Sequence, residues 1–418
     1  MSPTPRAAAV LGAIALLTIA LGPLLAALPA AALAGAMIAD ARAARRAPRA
    51  QRRVAPIVAR GVPAVFSVET REEDGRRVRI RQPRPGAEVE LAPQESDAGA
   101  LHAQLVARRR GRFTLAPATL RVSGPLGLAT WDHAAGEAQE LLVYPDLPAA
   151  RRLALAVRTG SFREPGHRSR GPLGLGTEFE SIRDYLPDDD VRQVNWPATA
   201  RMGRPMSNQY RVEQDRDVIC MIDCGRLMAA PLGAGATRLD VAIDAATAVG
   251  LVADELGDRC GTVAFDTLVH RRLTPRRRGG DALVKAVFDL QPAPVDSDYE
   301  LAFRTVASAK RALVVVFTDL LDEHAARSLI DAVPVLARRH EVVVAGVLDP
   351  DLAAVLAARP ENVLDVYRAA AALDVLAARE RAVARVRGAG ARVLETAPAG
   401  LARACVGAYL SAKARARL

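Results

Sequence analysis

The side chains best able to do chemistry crowd between Gly174 and Tyr210, in the stretch GLGTEFESIRDYLPDDDVRQVNWPATARMGRPMSNQY. Within it, Arg183, Arg192, Arg201 and Arg204 interleave with Glu178, Glu180, Asp184 and the run Asp188-Asp189-Asp190, and Tyr185, Asn195 and Trp196 lie among them. Guanidinium groups spaced this closely to carboxylates can fork onto them in pairs. That chemistry is recognition or self-bracing, and a core strand would not carry it. A second set of carboxylates falls at the ends of apolar runs: Asp223 after VICMI, Asp319 after VVVFT and Asp349 in AGVLD. Strand-end carboxylates are a natural hard-cation site. Asp in that position is also a common helix cap or turn former, and spacing alone favours the cap.

Other chemistries find little support. His102, His133, His167, His270, His324 and His340 are scattered, and none neighbours these carboxylates in sequence. No Ser-His-Asp order with a nucleophile elbow is present. Gly171 to Gly176 is glycine-rich but lacks a following Lys and a strand-to-helix setting, so it predicts no phosphate cradle. Cys220, Cys224, Cys260 and Cys405 form no Cys-x-x-Cys pair and read as small buried hydrophobes. The net charge of +10 is carried mostly by Arg. Without interleaved aromatics it predicts no nucleic-acid partner.

Three kinds of segment must position these residues. From residue 212 to 418, strand-like runs (VICMID, ALVVVFTDL, EVVVAGVLD, ARVLET) alternate with helical ones. This pattern predicts an α/β domain with a mostly parallel, doubly wound sheet, and ligands at the carboxyl ends of its strands. Residues 54–148 hold short alternating runs split by Asp74-Gly75 and Pro85-Gly86, and predict a small β-sandwich. Residues 149–211 read as a linker containing the charged stretch. Residues 1–53 open with an uncharged run from Ala7 to Ala39, roughly 33 positions against the 17–25 of one span. Gly22-Pro23 would turn it into a transmembrane hairpin, whereas a single tilted span would be kinked at proline. A cleaved signal peptide would need a much shorter apolar run. Arg42, Arg45, Arg46, Arg49, Arg52 and Arg53 follow. By the positive-inside rule this cluster, and the domains after it, stay on the cytoplasmic side of the inner membrane, with anionic lipid as a partner.

The stretch IRDYLPDDDVRQVNWPATAR resembles the signature of the bacterial family known as domain of unknown function 58. Arg183, Tyr185, Pro187, Asp189, Asp190, Arg192, Trp196, Thr199, Ala200 and Arg201 fit it, and ARRRGRFTL and SGPLGL are similar to its preceding segment. The resemblance implies a membrane hairpin, a β domain and a von Willebrand factor A-like domain. It also implies a non-enzymatic, protein-binding role beside a MoxR-type AAA+ ATPase. The family's turn glycine is replaced here by Asp188, a residue that tolerates positive φ. Such domains often hold a metal through Asp-x-Ser-x-Ser. Here the segment is Asp223-Cys224-Gly225-Arg226-Leu227, which leaves Asp223, Ser297 and Asp319 as a degenerate, at most weak, Mg²⁺ site.

The expected roles follow. Arg183, Asp184, Tyr185, Asp189, Asp190, Arg192, Trp196 and Arg201 form a protein-binding or domain-bracing surface, with Trp196 as an aromatic plug. The rival is a metal-dependent hydrolase built on the strand-end carboxylates.

Overall fold

The computed structural model describes residues 2–21, 23–71, 76–162, 178–186, 189, 191–211, 215–232, 235–307, 309–321 and 323–415. The chain divides into two units, Met1–Tyr144 and Pro145–Leu418.

The first unit begins with two apolar helices, α1 (Pro5–Leu21) and α2 (Pro23–Ala44), which pack on each other. The stretch Ala27–Ala44 is long and apolar enough to cross a membrane, with mean hydropathy 1.2, whereas the apolar part of α1 is shorter. Both ends of the pair meet one loop. Ser2–Pro3 pairs with Thr130 and Ala129, and Thr4 donates through its hydroxyl to the Gly127 carbonyl at 2.6 Å. At the far end of α2, the buried Asp40 accepts the backbone N–H groups of Leu126, Leu128 and Ala129 at 2.7–2.8 Å. Gly124 makes this possible, because a Cβ there would lie 2.2 Å from the Asp40 carboxylate. The PLGL turn, part of the SGPLGL segment singled out in the sequence, is the socket for the end of α2.

Beyond the helices, three sheets surround one core that includes Phe66, Val68, Ile80, Leu91, Leu101, Leu105 and Leu120. The strand Arg77–Arg81 shows the logic: Val78 and Ile80 point inward while the three arginines face water. The first long strand, Arg49–Val54, starts inside the segment that the sequence assigned to the membrane surface. Arg52 turns back to the Ala116 carbonyl at 2.8 Å, and Arg45 lies 5.4 Å from the centre of the Trp131 ring. Part of the basic cluster is therefore structural, while Arg42, Arg46, Arg49 and Arg53 remain exposed.

The second unit opens with α3 (Leu147–Arg158), capped by Asp146. Its Ala150, Ala154 and Val157 sit in the core, so the segment expected to be a linker starts as part of the scaffold. The charged stretch forms a two-stranded hairpin of its own, β1 (Glu178–Asp184) and β2 (Met206–Arg211), with the short helix α4 (Trp196–Met202) between them.

The rest is an α/β domain. In chain order it runs β3 (Asp217–Asp223), α5 (Arg238–Glu255), β4 (Arg259–Phe265), β5 (Val269–Arg276), α6 (Gly279–Val287), α7 (Tyr299–Ala307), β6 (Ala312–Phe317), α8 (Arg327–Ala337), β7 (Glu341–Val347), α9 (Pro350–Ala357), α10 (Val363–Gly388), β8 (Arg392–Thr396) and α11 (Leu401–Ala414). The sheet order is β5-β4-β3-β6-β7-β8, parallel throughout except for the edge strand β5. Every residue of β3 is buried, as a strand covered on both faces must be. Val218, Cys220 and Ile222 face the core shared with α3, α5 and α11. Ile219 and Met221 face the core shared with α7, α8 and α10. All four cysteines are free and buried, and burial pushes the Cys405 thiol up to about 12, so they serve as packing groups.

Candidate functional site

The order of the sheet reverses between β3 and β6, because β4 lies on one side of β3 and β6 on the other. Ligands favour such switch points at the carboxyl ends of strands. The three residues proposed for the metal are placed here, and Asp223 and Ser297 meet directly.

Asp223 ends β3, is 2% exposed, and has both carboxylate oxygens satisfied by the chain itself. Oδ1 accepts the Ser297 hydroxyl and the Gly225 N–H, the latter at 2.8 Å. Oδ2 accepts Tyr299 Oη and Thr318 Oγ1, each at 2.7 Å. Tyr299 and Thr318 also touch each other at 2.6 Å, closing a buried ring of hydroxyls around the charge. Burial and the adjacent Asp223 carboxylate push the Tyr299 phenol well above its usual range, so it stays a donor. Gly225 explains the missing serine: a Cβ at that position would lie 2.3 Å from Ser297 Oγ. Ser297 therefore fills the space that a side chain at 225 would need.

Asp319, 6% exposed, is held by arginines. Its Oδ1 lies between two buried guanidinium groups, Arg238 Nη1 at 2.8 Å and Arg379 Nη1 at 2.9 Å. Arg238 also bonds the Val347 carbonyl at 3.0 Å and Asp349 Oδ2 at 3.1 Å. Arg379 bonds that same carbonyl at 3.0 Å and pairs with Glu395. Burial pulls the Arg379 pKa down, but the Asp319 and Glu395 carboxylates outweigh it and leave it raised. Asp349 takes the cap that spacing favoured, accepting the Asp351 N–H at 2.9 Å, and also pairs with Arg238 at 3.1 Å.

A divalent ion does not fit this arrangement. Four donors already occupy Asp223, and a cation at Asp319 would face two internal cations. Among the described residues no three His, Cys, Asp or Glu side chains converge as ligands. What the strand ends offer instead is a groove of about 440 Å³, floored by Asp223 and Ser297 and rimmed by Arg226, Asp296, His324, Arg327, Ser328 and Asp331.

Arg238 and Arg379 were missed by sequence reasoning. Arg238 did carry a signal. It follows the Thr237–Asp240 capping box in the first turn of α5, where the helix dipole disfavours a cation. A positive charge at that position needs an acid from elsewhere. Arg379 had a weaker one: it falls on the same face of α10 as Ala372, Ala382, Val383 and Val386, but several other arginines of that helix mask it.

The charged hairpin is braced by its own residues. Arg183 forks onto Asp189 at 2.6 and 2.7 Å, which holds that carboxyl below its usual range. Asp189 also accepts the Leu186 N–H, and Tyr185 Oη reaches the Asp189 carbonyl at 3.0 Å. Asp184 pairs with Arg204 at 3.2 Å. Asn195 caps α4 and donates to Asn208 at 2.7 Å. Asp190 and the Arg192 side chain lie outside the described residues. Arg201 is exposed. Trp196 is 67% exposed, and no residue of α4 is buried. It stands at the first position of α4, ahead of Pro197, where a helix starts readily but no apolar layer is at hand to receive the ring.

This architecture, an α/β sheet with a self-stapled charged hairpin before its first central strand, defines the class of domain. A domain of the family described as protein of unknown function DUF58 is present at residues 181–365, from the hairpin to the start of α10. An uncharacterized protein of Mycobacterium bovis and one of Mycobacterium tuberculosis are each 27% identical over 186 residues. Each match covers 42% of this chain and 56% of the relative, so the chain spans little more than half the length of the curated relatives it matches.

Proposed function

We propose that this chain is a membrane-anchored, non-enzymatic binding platform that presents its α/β unit, a von Willebrand factor A-like domain, to a MoxR-type AAA+ ATPase. The observation that carries this reading is the state of the strand-end carboxylates. Asp223 is engaged on both oxygens by hydroxyl and N–H donors and Asp319 on Oδ1 by two arginines, and these partners compete with a metal or a water to be activated. A metal-dependent hydrolase would need at least one of them. What is left at the switch point is a groove with charged walls, suited to contact. The first half of α10 adds an apolar surface, with Val363, Leu364, Val366, Tyr367 and Leu373 exposed. Contiguous exposed apolar residues of this kind mark protein contacts.

Anchoring by a transmembrane hairpin is supported by the α1–α2 pair, whose two ends are tied to the same loop. At 1.5 Å per residue, residues 23–39 of α2, ahead of the docked Asp40, reach about 26 Å, close to a hydrocarbon core of about 30 Å. The exposed Arg42, Arg46, Arg49 and Arg53 suit anionic headgroups on the cytoplasmic side. Protease added outside intact cells should leave the β and α/β units uncut if this topology holds.

The partner assignment is tested by immobilising the detergent-solubilised full chain and passing membrane extract over it with and without ATP. Nucleotide-dependent retention of an AAA+ ATPase is the expected result. Retention of none in either condition rejects the partner, and phosphoester turnover by the purified chain rejects the non-enzymatic role.

A further inference from the structure

The opposite end of the sheet carries a second concave surface that the reading above does not use. On the face packed by α7, the amino-terminal ends of β3 and β4 are incompletely roofed. A groove of about 380 Å³ opens there between α7 and the edge strand β5. Its floor is apolar, with Ile219, Val263 and Val306 buried beneath it. Its charges are unbalanced: Arg259, Arg272 and Lys310 stand against the single carboxylate of Asp217. Asp217 is already paired with Arg259 at 2.6 Å. Arg272 donates one bond across the groove to the Thr305 carbonyl at 3.2 Å, and Lys310 is exposed. Two cations are therefore left without an acid inside the groove, and the exposed Arg276 and Arg311 extend the positive rim.

The edge strand supplies the second half of the argument. β5 is the last strand of the sheet, pairs only with β4 among the described residues, and forms one wall of the groove. Open edges are usually guarded by charge. Here Arg272 and Arg276 supply that charge, which repels basic segments and attracts an acidic one, while Arg271 is shared with Asp289 at 3.9 Å. A lipid surface is flat and cannot enter a groove beside a strand. Single-stranded nucleic acid needs aromatic stacking, and no aromatic residue lines this groove.

We infer that the β5–α7 groove is a docking surface for an extended, acidic peptide segment of a partner protein, laid along the groove between β5 and α7 with apolar side chains on Ile219 and Val263 and carboxylates on Arg272 and Lys310. The test uses the detergent-solubilised full chain and a fluorescent peptide of alternating Glu and Val, read by anisotropy. A Lys and Val peptide, phosphatidylglycerol vesicles and a single-stranded oligonucleotide serve as competitors. The Glu and Val peptide should bind saturably, more weakly at high salt, and none of the three competitors should displace it. Arg272→Glu with Lys310→Glu should weaken binding about tenfold or more, because like charges then face each other. Lys310→Glu alone, at an exposed position, should weaken it in the same direction and guards against a folding defect in the double variant. The inference is overturned if the acidic peptide does not bind, if the Lys and Val peptide binds equally, if charge reversal changes nothing, or if vesicles or oligonucleotide displace the peptide.

Discussion

The two ends of the parallel sheet treat charge in opposite ways. At the carboxyl end, each central acid is compensated from within: Asp223 by hydroxyl and N–H donors, Asp319 by Arg238 and Arg379. At the amino end, Arg272 and Lys310 line a groove whose only carboxylate is already engaged. The carboxyl end is where α/β folds usually keep their reactive groups, yet here it is electrostatically closed. The difference teaches that the location of a site in a fold and the availability of its groups are separate questions. Availability depends on what the remaining side chains do, and it sets the sign of the partner each end can take.

That contrast can be broken most severely at the Arg238–Asp319–Arg379 cluster. Removing one member of a buried ion pair leaves the others desolvated and unpaired. Arg238→Ala should therefore cost about 3–5 kcal/mol in chemical denaturation of the full chain. A loss below about 1 kcal/mol would mean that the cluster is solvated and Asp319 is available after all. Next in size is Gly225→Ser, which restores a serine of the adhesion-type motif. With Ser297 Oγ in the way of its Cβ, it should destabilise by about 1–3 kcal/mol through overpacking. A stabilised Gly225→Ser protein that also binds Mn²⁺ would show that the missing serine, and not internal saturation, closes this end.

A smaller effect is expected at His340, which immediately precedes β7 at the amino end. It is 5% exposed, and both ring nitrogens lack a hydrogen-bond partner among the described residues. Burial, aided by the neighbouring Arg339, lowers its pKa, so the neutral form is favoured in the fold. The unfolded chain then binds this proton at higher pH than the folded one. Stability contributed by His340 is present above about pH 6.5, the ordinary histidine value, and falls as the pH drops toward the folded-state value. His340→Leu should flatten that part of the pH–melting curve, and an unchanged slope would place the ring in solvent. Smallest of all is Trp196→Ala, away from both ends. An exposed side chain with no core around it should change stability by no more than about 0.5 kcal/mol. A larger loss would restore Trp196 as a packing anchor.

Much of the fold was legible because its signals are local. The apolar runs of β3, β6 and β7 and the helices between them follow from periodicity, and the charged stretch could be picked out by composition, though read as a linker and not as two paired strands. The role of α3 was not legible, because its small inward residues, Ala150, Ala154 and Val157, form a weak stripe beside a charged segment. The bracing of the hairpin by Arg183 and Asp189 was within reach, since the two are close in sequence. The saturation of the strand-end acids was not, because Tyr299, Thr318, Arg238 and Arg379 come from four separate elements. The Asp40 socket was hidden for the same reason: its donors lie on a loop far along the chain.

The central claim is that Asp223 at the switch point is already engaged on both oxygens by the chain itself. Calorimetric titration of Mn²⁺ into the full chain tests it most directly. The account predicts no saturable heat beyond that of an Asp223→Ala control. A saturable site that Asp223→Ala abolishes would contradict it.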